Sequence, residues 1–288
     1  MVRVIKRMFQ LPVKRRLYPP TIIGLLLIVF CSTINSSIIA QGLSVNPSRI
    51  FFSGEKGSIH TRSIKVTNSG NQTIILQASL KDWIRDSVGN KVYAEAGSTA
   101  NSNASWIRLQ SHQTTIQPNE SIDIAVVITI PQNAVKVSNS MLFLTQINDT
   151  KPISGIDASG RKMSINLKLE VGIQIYNTVP GNETKNLEFI SFEDRGMVND
   201  STKNVELAIH NTGNIPTDAY LRLELTNTSS GETIKIDPKP ISMLPNAVQK
   251  IVIGFSPKQH KGQYLATAIL EYGEDVDLKV AKKEIRYE

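Results

Sequence analysis

His60, His112, His210 and His260 are the side chains best able to ligate a metal or move a proton, and they fall in four separate segments. None has a partner at ligand spacing, such as the i, i+4 pair of a zinc motif. No nucleophile-elbow, phosphate-loop or dinucleotide glycine pattern occurs. The acidic run Glu271, Glu274, Asp275 and Asp277 could hold calcium in a loop, yet it reads more simply as a solvated turn between two strands. Asp82, Arg85 and Asp86, beside Trp83, read as a strand end. The sequence therefore assigns no catalytic residue, no metal and no cofactor, and the expectation is a protein that is not an enzyme.

The chemistry this chain does offer is that of a surface. Met163, Ile165, Leu167, Leu169 and Val171 are apolar, and Ser164, Asn166, Lys168 and Glu170 between them are polar. The alternation continues through Ile173 and Ile175. On one continuous strand all seven apolar side chains share a face. The stripe outruns a strand of about 5–6 residues. It is either the inward face of an oversized core strand, or a strand with side chains to spare for another chain.

The elements that must position this stripe read as β throughout. From Leu43 onward, short alternating or β-branched runs are separated by turn residues, among them Gly54-Glu55-Lys56-Gly57, Ser69-Gly70-Asn71 and Gly89-Asn90. Met141 to Ile147 is followed by a loop to Lys162 and then by the stripe. No amphipathic helix of ten or more residues is evident. The fold class is therefore all-β, with two Ig-like β-sandwiches in series. Pro180-Gly181-Asn182-Glu183 divides them, giving domains at 41–180 and 181–288. Val66-Thr67-Asn68-Ser69-Gly70-Asn71 resembles Ile209-His210-Asn211-Thr212-Gly213-Asn214, which fits either an internal duplication or the commonness of Asn-Gly turns.

The formal charge of +7 is carried mostly by Arg3, Lys6, Arg7, Lys14, Arg15 and Arg16. The remaining 26 basic and 25 acidic side chains nearly cancel, which removes the electrostatic case for a nucleic-acid partner. That basic stretch, the apolar run Ile22 to Phe30, and small or polar residues up to Ala40 have the layout of a secretory signal peptide over residues 1–40. An apolar run of about nine residues is shorter than the roughly 20 needed to span a bilayer. A retained N-terminal anchor is the alternative. The only cysteine, Cys31, lies in this leader. No other run suggests a membrane span, and the expectation is an exported protein, which the resemblance given next would place in the periplasm.

Residues 43 to 180 resemble the first domain of periplasmic pilus-assembly chaperones, the PapD-like family. The resemblance rests on four segments in order: Asn46 to Phe52 with Arg49, Ser63 to Asn68, Ser105 to Leu109 followed by Gln117-Pro118-Asn119-Glu120, and Met141 to Ile147 with Met163 to Tyr176. It implies a chaperone that caps exported pilin-like subunits by strand addition, with an outer-membrane usher as a further candidate partner. It implies that Met163, Ile165, Leu167, Leu169 and Val171 fill the subunit's open groove. It also implies that two cations hold the subunit's terminal carboxylate. Arg49 matches the first of these, whereas Gln174 stands where the family has a lysine. A weaker anchor, another cation or a different client are the alternatives that this leaves. The competing function is a structural or adhesive envelope protein with Ig-like spacers, since fold alone does not set function.

Overall fold

Strand formation follows the alternation closely in segments such as Ser121–Thr129, where Ile124, Val126 and Ile128 turn inward and the residues between them do not. The computed structural model describes residues 42–148, 153–156, 159–165, 168–199, 202–256, 262–274 and 276–287, with the backbone only at Ile153, Ile156 and Ile165. The leader expected at 1–40, and Leu167, expected as a groove filler, lie outside the described residues. Residues 41–288 form one compact unit. Among the described residues, no helix is long and apolar enough to cross a membrane.

The first sandwich has two sheets. One carries β1 (Leu43–Asn46), β3 (Ile59–Asn68), β8 (Ser121–Thr129) and β6 (Ile107–Leu109), in that order. The other carries β2 (Arg49–Ser53), β12 (Glu170–Thr178), β9 (Val137–Gln146), β4 (Ile74–Arg85) and β5 (Lys91–Glu95), with β7 (Gln113–Ile116) also on β4. Between the sheets lie Ile50, Phe52, Ile64, Val66, Leu76, Val126, Ile128, Leu142, Leu144, Ile173 and Ile175, all buried. The chain passes from one sheet to the other at Pro47 and Ser48, between β1 and β2.

The second sandwich pairs β13 (Leu187–Asn199), β14 (Thr202–Asn211) and β17 (Val248–Phe255) in one sheet. The other sheet has the order β16 (Thr233–Met243), β15 (Thr217–Asn227), β18 (Gly262–Glu271) and β19 (Lys279–Tyr287). Its own core includes Leu187, Leu207, Leu221, Leu223, Ile253, Tyr264 and Leu270. The all-β, two-sandwich architecture is thus as the alternation predicts.

Two expectations are corrected. The stripe from Met163 to Ile175 is not one strand. It is divided between β11 (Lys162–Ile165) and β12, with Lys168 and Leu169 outside either strand. The segment expected as loop before Lys162 holds β10 (Ile153–Ile156), which pairs antiparallel with β11. The register explains the break. Ile153 faces Ile165 in one pairing, but Thr145 faces Glu170 in the next, so the two arms of the hairpin fall out of step between them.

The two Asn-Gly turns occupy equivalent corners. The Asn68 amide donates to the carbonyls of Gln72, Ile116 and Gln117 at 2.7, 3.2 and 3.1 Å, and its oxygen accepts from the Gly70 N–H at 3.0 Å. The Asn211 amide donates to the carbonyls of Ile215 and Met243 at 3.0 and 3.2 Å, and its oxygen accepts from the Gly213 N–H at 3.0 Å. Each corner is closed by a Pro-Asn turn, Pro118-Asn119 and Pro245-Asn246, whose asparagines have φ of 59° and 61°. The Asn68 N–H donates to the Glu120 carbonyl at 2.9 Å and the Asn211 N–H to the Ala247 carbonyl at 3.0 Å, completing the same figure twice. Gly213 admits no side chain, because a Cβ there would lie 2.4 Å from the Thr184 carbonyl oxygen.

Asp82, on β4, is fully buried. Its carboxylate accepts from the Thr99 N–H at 2.8 Å, the Thr99 hydroxyl at 3.0 Å and the Ser102 hydroxyl at 2.6 Å. Burial by itself raises its pKa. The bonds from Ser102, Thr99 and Gly97 together outweigh that and hold the carboxyl below its ordinary 3.8. A depressed folded-state pKa gives stability that is present above the unfolded value and lost as pH falls through the folded one. Urea melts should therefore show the parent losing stability below about pH 4. Asp82→Asn should cost about 2 kcal/mol at pH 7 and show less of that acid dependence. A parent and a variant with the same pH slope would contradict this.

Candidate functional site

β12 is paired on both sides for only half its length. Its antiparallel pairing with β9 runs from Glu170 to Thr178. On its other side the parallel pairing with β2 begins only at Gln174, opposite Arg49, and ends at Thr178, opposite Ser53. Among the described residues, Glu170 to Ile173 and the whole of β11 have no strand on that side. A bare edge is a row of unused backbone donors and acceptors.

The stripe's side chains change environment along this edge. Ile173 and Ile175 are sealed in the first core at 0% exposure. Val171 and Leu169 are half-buried, and neither is among the side chains packed against that core. Met163 is 49% exposed. The backbone of Ile165 lies opposite Ile153 on β11. The stripe therefore combines both readings: its last two residues belong to the core, while Leu169, Val171 and Met163 extend beyond it.

Arg49 and Gln174, some 125 positions apart in sequence, are brought side by side by the β2–β12 pairing. They lie on the sheet face turned away from the core. That face carries an aromatic floor: Trp83, Met141, Phe143 and Tyr176 are buried together, and Leu244 of the second sandwich packs on them. Phe51 stacks on Tyr176 with centroids 5.0 Å apart, and Trp83 meets Tyr176 edge-on at 5.8 Å. Gly172 lets the floor close, since a Cβ there would sit 3.1 Å from Met141 Sδ and 3.2 Å from the Phe143 ring. Cations lie over this floor, Arg49 over Phe51 at 5.8 Å and Arg85 over Trp83 at 5.5 Å.

The Tyr176 hydroxyl donates to Gln174 Oε1 at 2.6 Å. Burial pushes the Tyr176 pKa up to about 12, so the phenol stays a donor throughout the physiological range. With its oxygen so engaged, Gln174 presents its amide nitrogen as donor. Arg49 Nη1 bonds Asp218 Oδ2 of the second sandwich at 2.6 Å.

Arg49, Arg85, Asp218, Tyr220, Ser242, Gln249, Glu271 and Tyr272 line an open cleft of about 590 Å³ between the two sandwiches. The walls are held in place from both sides. The tip of the β4–β5 hairpin docks on β17, where the Lys250 N–H donates to the Ser87 carbonyl at 2.6 Å. Lys136 Nζ donates to the carbonyls of Val179, at 2.7 Å, and Gly181, and to Glu183 Oε1 at 3.0 Å. Asn214 ties the same connecting segment to the second sandwich through the Asn182 carbonyl and the Thr184 N–H.

Arg85 is the cleft residue that the sequence reading passed over as a strand end. Its only signal was its place before the Asp86–Asn90 turn, which says nothing about what faces it. Among the described residues, no cluster of three His, Cys, Asp or Glu side chains is arranged to hold a metal.

No protein-family model and no curated protein matches the sequence. Among solved structures the chain is similar to the Escherichia coli chaperone DraB, at 12% identity over 86% of this chain and 98% of that one, with a TM-score of 0.41. It is also similar to a chain from the chaperone–tip subunit pre-assembly complex of archaic chaperone-usher pili of Acinetobacter baumannii, at 13% identity over 84% and 97%, with a TM-score of 0.41. A third similar structure is the Pseudomonas aeruginosa chaperone CupB2, at 9% identity over 83% and 99%, with a TM-score of 0.39.

Proposed function

We propose that this chain is an exported, periplasmic chaperone that caps pilin-like subunits by strand addition. One observation carries the reading: the bare edge of β11 and β12 bears apolar side chains that its own core leaves unpacked, and it ends at Arg49 and Gln174. A guest strand filling this edge would lie in line with β2. If it runs parallel to β12, as β2 does, its C-terminus arrives at the Arg49 guanidinium. If it runs the other way, its N-terminal ammonium meets that cation and is repelled. The charge therefore selects a parallel guest with a free terminal carboxylate.

As groove fillers, Met163, Ile165, Leu167, Leu169 and Val171 would each contribute on the order of 1.5–3 kcal/mol on full burial, less ordering costs. A spacer needs no such edge. The test is site-directed crosslinking in the producing cell. Met163→Cys places the only cysteine after residue 40 on the edge. It should trap an exported subunit with an incomplete Ig-like fold, whereas a cysteine at Thr61, on the first sandwich's other sheet, should not. Equal trapping at both positions, or none at Met163→Cys, would count against the reading.

A further inference from the structure

β5 ends the larger sheet of the first sandwich, whose order runs β2, β12, β9, β4, β5. All of its residues, Lys91 to Glu95, are exposed, with Val92 at 46% and Tyr93 at 45%. Among the described residues, no strand pairs with its outer side. The Asp86 N–H donates to the Asn90 carbonyl at 2.9 Å, which makes these two a hydrogen-bonded pair one step before Arg85 and Lys91. Hydrogen-bonded pairs alternate along an antiparallel ladder. Val92 and Ala94 therefore bond β4, whereas Lys91, Tyr93 and Glu95 turn their N–H and C=O groups outward. An exposed edge with unused backbone groups is a template for another strand.

We propose that two copies of this chain pair through β5, antiparallel and two-fold symmetric, with Tyr93 facing the second copy's Tyr93 on the axis. The charge pattern favours a second copy as the occupant. In this register each Lys91 lies directly opposite the second copy's Glu95, and each Val92 opposite its Ala94, so opposite charges meet at both ends of an apolar middle. Neither Lys91 nor Glu95 has a salt bridge to any described residue. Lys91 faces Arg85 across the β4–β5 pairing, and its pKa is lowered first by burial and then by the charges of Arg85 and Arg49. An incoming carboxylate relieves that crowding of cations. The register also matches the outward backbone groups. Tyr93 meets Tyr93, and each Glu95 N–H meets a Lys91 carbonyl, for about four bonds in all. The Glu95 carbonyl is already used, accepting from the Ser98 N–H at 3.1 Å and the Ser98 hydroxyl at 2.6 Å. A slip of one residue would set outward groups against inward ones. In the sheet order β5 lies at the opposite end from the bare edge of β12, so the dimer leaves the proposed client edge open.

One short strand pairing is small for a stable interface, so the dimer should be weak, with a Kd on the order of 10–100 µM. Sedimentation equilibrium of the purified chain, from about 5 to about 500 µM, measures it. Lys91→Glu, which sets acids opposite each other at both ends, should raise Kd by about 10-fold or more, and so should Glu95→Lys. The double exchange, Lys91→Glu with Glu95→Lys, should return Kd to within about 3-fold of the parent. These positions are exposed, so each variant should keep the parent's urea midpoint. Crosslinking fixes the register, in a Cys31→Ser background. Tyr93→Cys sets two cysteines across the axis, where the Cα atoms of a hydrogen-bonded pair are about 5.5 Å apart, within disulfide reach. Mild oxidation should link that variant into a dimer, and should link a mixture of Val92→Cys and Ala94→Cys well above either alone. A chain that stays monomeric at about 500 µM overturns the proposal. So does a dimer that Lys91→Glu leaves intact and Tyr93→Cys fails to trap, which would put the contact on another edge such as that of β11 and β12.

Discussion

Leu169→Glu should abolish client capture while leaving the fold intact. Leu169 is half-buried, lies outside both β11 and β12, and is not packed against the first core. Its backbone carbonyl accepts from the Gln146 N–H at 2.8 Å, a bond that a side-chain change keeps, and its side chain borders a small cavity with Ile74 and Gln146. The expected stability change is therefore about 1 kcal/mol, well short of a core substitution. In the client's groove the same change loses about 1.5–3 kcal/mol of burial and adds the larger cost of desolvating a carboxylate. Affinity should fall by more than about 100-fold. Ser164→Glu, with the same added charge on the opposite face of the hairpin, is the control and should bind within a few-fold of the parent. Capture that survives Leu169→Glu, measured by co-purification with a co-expressed subunit, would remove the edge from the mechanism.

Asn68→Ala and Asn211→Ala should each destabilise the chain by about 3 kcal/mol, the largest single-residue losses expected outside the apolar cores. Both asparagines are fully buried. Removing the Asn68 amide takes a partner from the carbonyls of Gln72 and Ile116 and from the N–H of Gly70, while the Gln117 carbonyl keeps the Glu120 N–H. Removing that of Asn211 takes a partner from the Met243 carbonyl, and leaves the Ile215 carbonyl only the Thr217 hydroxyl and the Gly213 N–H only the Asn186 carbonyl. Asp at either position should be worse than Ala, because a carboxylate keeps the glycine bond but sets negative charge against carbonyl oxygens. Urea unfolding would check both. A loss below about 1 kcal/mol at either corner would mean that these bonds are made equally well with water.

Those corners also answer a question that the sequence leaves open. An Asn-Gly turn is common enough to recur by chance, so six similar residues could not establish repetition. The repeated figure is convincing because each asparagine reaches a partner far along the chain, Ile116 and Gln117 in one case and Met243 in the other. Such partners are invisible to a local pattern.

Sequence alone determined the fold class, since side-chain alternation of period 2 is a local property of each strand and survives any later packing. Alternation also picked out the stripe, whereas Arg49 stood out only through the resemblance of Asn46 to Phe52 to the chaperones' opening strand. Only the tertiary structure decided where the stripe leaves the core, because burial at Ile173 and exposure at Met163 depend on where the facing strands stop. The gathering of Arg49, Arg85 and Asp218 around one cleft, with Gln174 beside Arg49, was likewise undetermined by sequence. Sheet pairing brings Arg49 to Gln174, and the docking of one sandwich on the other brings Asp218 and Arg85 to that cleft. Neither the register of a non-local pair nor the angle between two domains is written in neighbouring residues.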